Sequence, residues 1–136
     1  SLGAEGVQLG TRFVCSTECT AHENFKEMII KSKDRQTTVT GRTTGYPVRV
    51  IKNRFTKEYL ELEGKGLSFQ ELEDFGAGRL RLAVKEGDIT KGSVMAGQIS
   101  GLINEVKPCK DIIEGIIDSA IEQMDSLISM KGGRDK

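Results

Sequence analysis

The chain has 136 residues, 20 of them basic and 20 acidic, so its formal net charge is zero. A chain without basic excess lacks the electrostatic footprint of a nucleic-acid binder, and 37% hydrophobic with 29% charged residues suits a folded domain rather than a disordered one. No apolar run nears the ~20 residues that span a bilayer, and SLGAEGVQLG at the start has neither the basic n-region nor the apolar core of a signal peptide, so a cytoplasmic chain without a membrane partner is expected.

Glycine supplies 16 of the 136 residues, above the usual share of about 7%. That excess points to tight turns or to backbone that approaches a ligand closely. Three cysteines are an odd number and make no disulfide framework. Cys15 and Cys19 lack the second pair or spaced histidine that a metal site needs, so no metal is expected.

Gly6–Val14 reads as a strand buried on both faces, interrupted at Gly10-Thr11. Thr20–Lys33 reads as a helix opened by a Thr20-x-x-Glu23 capping box, with Phe25, Met28 and Ile29 on one face. Gln36–Gly45, rich in Thr and Gly, is a short strand or extended loop, and Tyr46–Ile51 is a second strand-like run that Pro47 places at an edge or a strand start. Arg54–Glu63 and Ser68–Phe75 read as helices, the latter with a Ser68-x-x-Glu71 capping box. Gly78–Glu86 is a third short helix ended by Gly87-Asp88, and Gly92–Ile103 is a glycine-rich turn leading into an apolar helix. Pro108–Met130 carries Ile, Ala, Met and Leu at three- and four-residue steps, the pattern of a long amphipathic helix whose stripe is expected to be core. Lys131–Lys136 is polar and is expected to be disordered. A strand buried on both faces needs neighbours that this chain does not supply, which points to the C-terminal part of a larger α/β fold.

Two stretches are candidates for binding chemistry. Gln8, Leu9, Gly10 and Thr11 present backbone N–H groups, a small hydroxyl and no bulk, which suits a phosphate, although an ordinary turn reads the same way. Ser93, Met95, Gly97 and Gln98 lie in a small-residue loop that again offers amides, with Met95 and Gln98 suited to a flat aromatic ring; close packing through Ala96, Gly97 and Gly101 is the plainer reading. His22, the lone histidine, has no visible partner and is expected to be structural. Arg42, Arg49, Lys52 and Arg54 form a basic cluster that is either a solvated face or a surface for an acidic partner or a cofactor phosphate.

Four motifs occur in order: GAEGVQLGTRFV (Gly3–Val14), AHENFKEMI (Ala21–Ile29), TTVTGR with GYPVRVIKN (Thr37–Asn53), and EGDITKGSVMAGQISGLI (Glu86–Ile103). Together they resemble the C-terminal part of the nitronate monooxygenase (2-nitropropane dioxygenase) family, and within it the FMN-dependent enoyl-acyl-carrier-protein reductases of bacterial fatty-acid synthesis. The likeness runs from Gly3 to about Ile128. It implies the last strand and helix of a TIM (β/α)8 barrel in residues 1–35, a helical substrate-side excursion in 36–85, and C-terminal helices returning to the barrel in 86–130, followed by the tail 131–136. It further implies FMN, its phosphate on Gln8, Leu9, Gly10 and Thr11 and its ring near Ser93, Met95, Gly97 and Gln98. NADH or NADPH would supply a hydride for a trans-2-enoyl thioester borne by acyl carrier protein, in a full-length homodimer. No catalytic residue falls in this chain, because the family's catalytic histidine lies upstream, so the chain alone should not turn over substrate. Nitronate oxidation by the same flavin is the alternative within the family. A non-catalytic helical module that binds a partner through Pro108–Met130 is the alternative outside it.

Overall fold

The computed structural model describes residues 3–132. The first regular element is helical rather than extended: the Gly10 carbonyl accepts from Phe13 N (3.0 Å) and Val14 N (3.2 Å), winding Thr11–Val14 into a single-turn helix, α1. Residues 3–10 are all exposed and belong to no strand, with Val7 77% exposed. This corrects the expected buried strand. A lone segment has no ladder to join, and no other strand among the described residues lies beside it.

Helix α2 (Glu23–Ile30) begins later than its expected capping box, because His22 is the N-cap and its Nδ1 accepts from Asn24 N at 3.1 Å. The His22 ring also lies against Gly87, where a Cβ would stand 2.4 Å from Nδ1. Its role is structural, as its isolation in the sequence suggests.

Strands β1 (Thr37–Thr40) and β2 (Val48–Ile51) pair antiparallel with Thr37 opposite Ile51 and Thr40 opposite Val48. Pro47 stands just ahead of β2, where its missing N–H costs no ladder bond. The buried Glu63 carboxylate braces the connecting loop, accepting from Gly41 N, Thr43 N and Thr43 Oγ1 at 3.3, 2.9 and 3.0 Å. On the other edge of β2, Ile51 N donates to Val94 O and Ala96 N to Arg49 O, so 93–96 runs as a short third rung.

Helices α3 (Arg54–Gly64), α4 (Phe69–Gly76) and α5 (Arg79–Glu86) follow the sequence closely. The α4 capping box forms as expected, Ser68 and Glu71 bonding each other's backbone N–H. Asn53 caps α3 and donates to the carbonyls of Ile89 (2.7 Å) and Gly92 (2.8 Å), tying three segments together. The helix expected within Gly92–Ile103 is reduced to a 3-10 turn, Gln98–Leu102, because 93–96 is committed to β2.

Two apolar clusters hold the chain. Cys15, Phe25, Ile29, Ile51, Ala83, Val94, Ala96 and Ile103 form the first, and Phe55, Tyr59 and Leu72 the second. The guanidinium of Arg79 sits 5.5 Å from the Phe55 ring centre and 5.2 Å from that of Phe75, closing the second cluster.

Helix α6 (Cys109–Gly132) spans 24 residues. Its first N–H is capped by the Glu18 carboxylate, both oxygens 3.0 Å from Cys109 N. Ile112 is 4% exposed, but every residue from 113 to 130 is exposed, including Ile117 (55%) and Met124 (55%). The expectation that the stripe is core is therefore corrected, since nothing among the described residues covers it. The helix itself carries through Gly132; the rest of the expected disordered tail, 133–136, lies outside the described residues.

Candidate functional site

Gly10 and Thr11 sit where the extended start of the chain bends into α1, and 93–97 leaves β2 on the neighbouring edge. The fold brings these two stretches into contact. Gly97 N donates to Thr11 Oγ1 at 2.8 Å, across 86 residues of sequence. A Cβ on Gly97 would lie 3.4 Å from that oxygen, so the loop approaches Thr11 through its backbone.

The bond fixes what the hydroxyl can still do. A threonine hydroxyl offers one proton and two lone pairs. Gly97 occupies a lone pair, and the Thr11 proton has no acceptor among the described residues. The backbone N–H groups of Gln8, Leu9, Gly10, Thr11 and Arg12 likewise donate to nothing among them. A Cβ on Gly10 would meet nothing within 4 Å, so this chain's own packing does not demand glycine there. Free amides, a hydroxyl proton without an acceptor and open space beside a glycine form a donor set of the kind an anionic oxygen cluster needs.

Ser93 is buried (7% exposed) with its N–H on Arg79 O, whereas Met95 (37%) and Gln98 remain exposed. The packing reading of this loop holds at two of its glycines. Gly92 and Gly101 serve packing: a Cβ on Gly92 would stand 2.5 Å from Asp88 O and 2.7 Å from Ala83 Cβ, and one on Gly101 2.9 Å from Asp34 Oδ1. Met95, Gly97 and Gln98 face outward or toward Thr11.

The basic cluster is mostly engaged within the chain. Arg49 donates to Thr37 Oγ1, Lys52 to the Arg35 carbonyl, and Arg54 pairs with Glu58 at 2.8 Å. Burial pushes the Cys15 thiol up, with Arg12 and Lys26 opposing, so this sulfur is kept protonated. No group of three or more His, Cys, Asp or Glu that could hold a metal occurs among the described residues, and no helix there is long and apolar enough to cross a membrane. Two polar hubs were invisible in the sequence: Asn53 and Glu63 look like ordinary surface residues until the carbonyls and amides they bond are brought beside them.

The molecule is thus an α/β chain whose two small-residue loops meet around unpaired amides. Residues 1–119 match the nitronate monooxygenase family, and the chain belongs to it. Among similar proteins, a probable nitronate monooxygenase of Staphylococcus aureus (strain MSSA476) is 33% identical over 117 residues, 86% of this chain and 33% of the relative. That of strain Newman is 32% identical over the same lengths. Among solved structures, FabK from Thermotoga maritima superposes with a TM-score of 0.88 at 44% identity, covering 94% of this chain and 40% of FabK. The M276A mutant of the same FabK gives 0.80 at 41%. The chain therefore spans about a third of the length of the curated relatives it matches, and these relatives are oxidoreductases.

Proposed function

We propose that this chain forms the C-terminal, phosphate-gripping part of an FMN-dependent oxidoreductase, the last strand and helix of a (β/α)8 barrel with its excursion and closing helices. The Thr11–Gly97 bond carries the reading, because it joins the two stretches that the family resemblance assigns to one flavin. The donor set fits a phosphate: the amides of Gln8 through Arg12 and the Thr11 proton all lack partners among the described residues. Gln8, Leu9, Gly10 and Thr11 would hold the phosphate, while Ser93, Met95, Gly97 and Gln98 would border the ring. When bound, the flavin supplies hydride transfer, the chemistry that no side chain here can perform. The chain's own part is to hold the phosphate by neutral donors and to fix the ring loop at a set distance from it. Its exposed Gly6–Gly10 segment becomes a barrel strand once neighbours pair with it.

Reduction of a trans-2-enoyl thioester by NADH or NADPH is the favoured reaction. Identity to FabK is 44% over 94% of the chain, against 33% over 86% for the nitronate monooxygenase of strain MSSA476. Acyl carrier protein would deliver the substrate to a homodimer, with Arg42 of the basic cluster facing outward toward an acidic carrier. Nitronate oxidation is the second reading, favoured by the family itself. The test is to isolate the polypeptide bearing this segment, read its visible spectrum, and follow NADH oxidation with crotonyl thioester beside oxygen uptake with an alkyl nitronate. A yellow protein that oxidises NADH only with the thioester is expected. A colourless protein overturns the flavin, and oxygen uptake with nitronate alone overturns the choice of reaction.

A further inference from the structure

A hollow of about 480 Å³ lies between α2, the paired end of the β1–β2 hairpin and the loop that follows α5. Its size is that of a small-molecule site, and none of its lining residues belongs to Gln8–Thr11 or Ser93–Gln98. The floor is apolar, from Met28, Ile51 and Ile89, while the exposed Glu27, Lys31, Gln36 and Lys52 form the rim. Charge along that rim is uneven. Lys31 is neutralised by Glu27, 2.6 Å away. Lys52 Nζ donates instead to a neutral acceptor, the Arg35 carbonyl, at 2.9 Å, and no carboxylate pairs with it among the described residues. Arg35 has φ +66, the one non-glycine residue in the left-handed region among those described, and from that turn its carbonyl meets Lys52. Gln36 accepts from Lys52 N through its backbone and from Lys33 N through Oε1, both at 2.8 Å. Its Nε2 protons find no acceptor among the described residues. One uncompensated ammonium and one unused amide donor thus stand together at the mouth of an apolar floor.

We propose that this hollow is a separate binding site for an aliphatic carboxylate of medium length, its carboxylate on Lys52 Nζ and Gln36 Nε2 and its chain on Met28, Ile51 and Ile89. Each feature of the ligand follows from the wall. An exposed lysine alone would attract any small anion, but the floor favours an anion carrying a tail that leaves water. A single uncompensated cation matches a single negative charge, and Glu27 at the same rim repels a dianion such as a phosphate monoester. At about 30 Å³ for each water-sized group, the ten heavy atoms of an eight-carbon carboxylate take up roughly 300 Å³ of the space. The inference goes beyond the flavin reading and does not depend on it.

The polypeptide bearing this segment is labelled with carbon-13 at its methionine methyl groups, and the signals of Met28 and Met95 are identified with Met28→Leu and Met95→Leu. It is titrated, below micelle-forming concentrations, with octanoate, acetate, 1-octanol and octylammonium. Octanoate is expected to shift the Met28 methyl and saturate while Met95 stays in place. Octanol should bind about tenfold more weakly, and acetate and octylammonium should leave Met28 unmoved. Lys52→Gln, shown to be folded by circular dichroism, is expected to raise the octanoate dissociation constant about tenfold, ~1.4 kcal/mol, and Lys52→Arg to bind as the wild type does. A Met28 methyl that octanoate leaves in place, or that moves only together with Met95, overturns the site. Octanol binding as tightly as octanoate, or an unchanged constant in Lys52→Gln, overturns the carboxylate, and acetate acting at the same concentrations as octanoate overturns the chain. The visible spectrum of the same sample tests the flavin reading separately.

Discussion

Thr11 accepts from Gly97 and still has its proton to give. A hydrogen bond to a charged group is worth about 1.5–3 kcal/mol. Thr11→Val keeps the shape but removes that proton together with the acceptor of Gly97 N, so the FMN dissociation constant in the flavin-loaded protein is expected to rise about ten- to a hundredfold. Riboflavin, which has no phosphate, should lose less than FMN in the variant, and Thr11→Ser should bind FMN normally. Fluorescence titration of both flavins checks this, and equal losses for the two would make the threonine a packing residue. Gly92 answers to a different constraint. An added methyl would stand 2.5 Å from Asp88 O, a backbone atom that cannot swing aside. Gly92→Ala is therefore expected to cost about 1–3 kcal/mol by overpacking, read as a lower urea midpoint with unchanged slope. The sequence showed both glycines as members of one small-residue loop. Only the fold separates Gly92, which packs on Asp88 and Ala83, from Gly97, which bonds Thr11, because the difference lies in which distant residue stands opposite.

The elements that the sequence foretold are those whose signals are local. The Ser68–Glu71 box, the Gly87 stop and the three- and four-residue apolar steps of α6 are satisfied within a few residues of themselves. Those it misplaced depend on partners far along the chain: 93–96 is drawn onto β2, and His22 displaces Thr20 as the cap by packing on Gly87. Helix α6 shows both cases, since its periodicity foretold the helix but not what would cover it. Ile112 is 4% exposed and Ile117 55%. Ile112→Ala should cost about 2–4 kcal/mol, whereas Ile117→Glu should change stability by no more than about 0.5 kcal/mol, both read from urea midpoints. Equal losses of stability would show that the stripe is covered in the isolated chain. The start of α6 is held by Glu18, whose carboxyl lies below its ordinary value chiefly because Cys109 N donates to it, with its own backbone N–H and Thr17 adding. A depressed folded pKa means that the cap's contribution is complete above about pH 4.3 and is lost as pH falls through the lower folded value. Protection of the Cys109 amide, its exchange rate taken relative to that of an unstructured amide at the same pH, should fall across that acid window in the wild type and be absent at all pH values in Glu18→Ala.

On the scale of the molecule, the buried residues and the exposed apolar ones lie in different places. Both clusters draw on residues from Cys15 to Ile103, while residues 3–10 and 113–130 are exposed throughout. A segment read as a doubly buried strand and a helix read as core are both bare here, and the chain spans only a third of its curated relatives. One cause accounts for both corrections. Alternation and periodicity record the burial a sequence was shaped for, and on the proposed reading the rest of the barrel would supply the surfaces that complete it. The family match ends at residue 119, within α6. If the two bare segments contribute nothing to the core, a chain cut to residues 10–119 should unfold at the same urea concentration as the 136-residue chain, within about 0.5 kcal/mol. Its m-value should also be nearly unchanged, because m follows the surface exposed on unfolding and the removed residues are exposed already. The shortened chain should keep the Thr11–Gly97 bond, visible as slow exchange of the Gly97 amide. A fall of several kcal/mol would mean that the exposed helix or the leading segment folds back in solution, and the separation of core from docking surface would have to be redrawn.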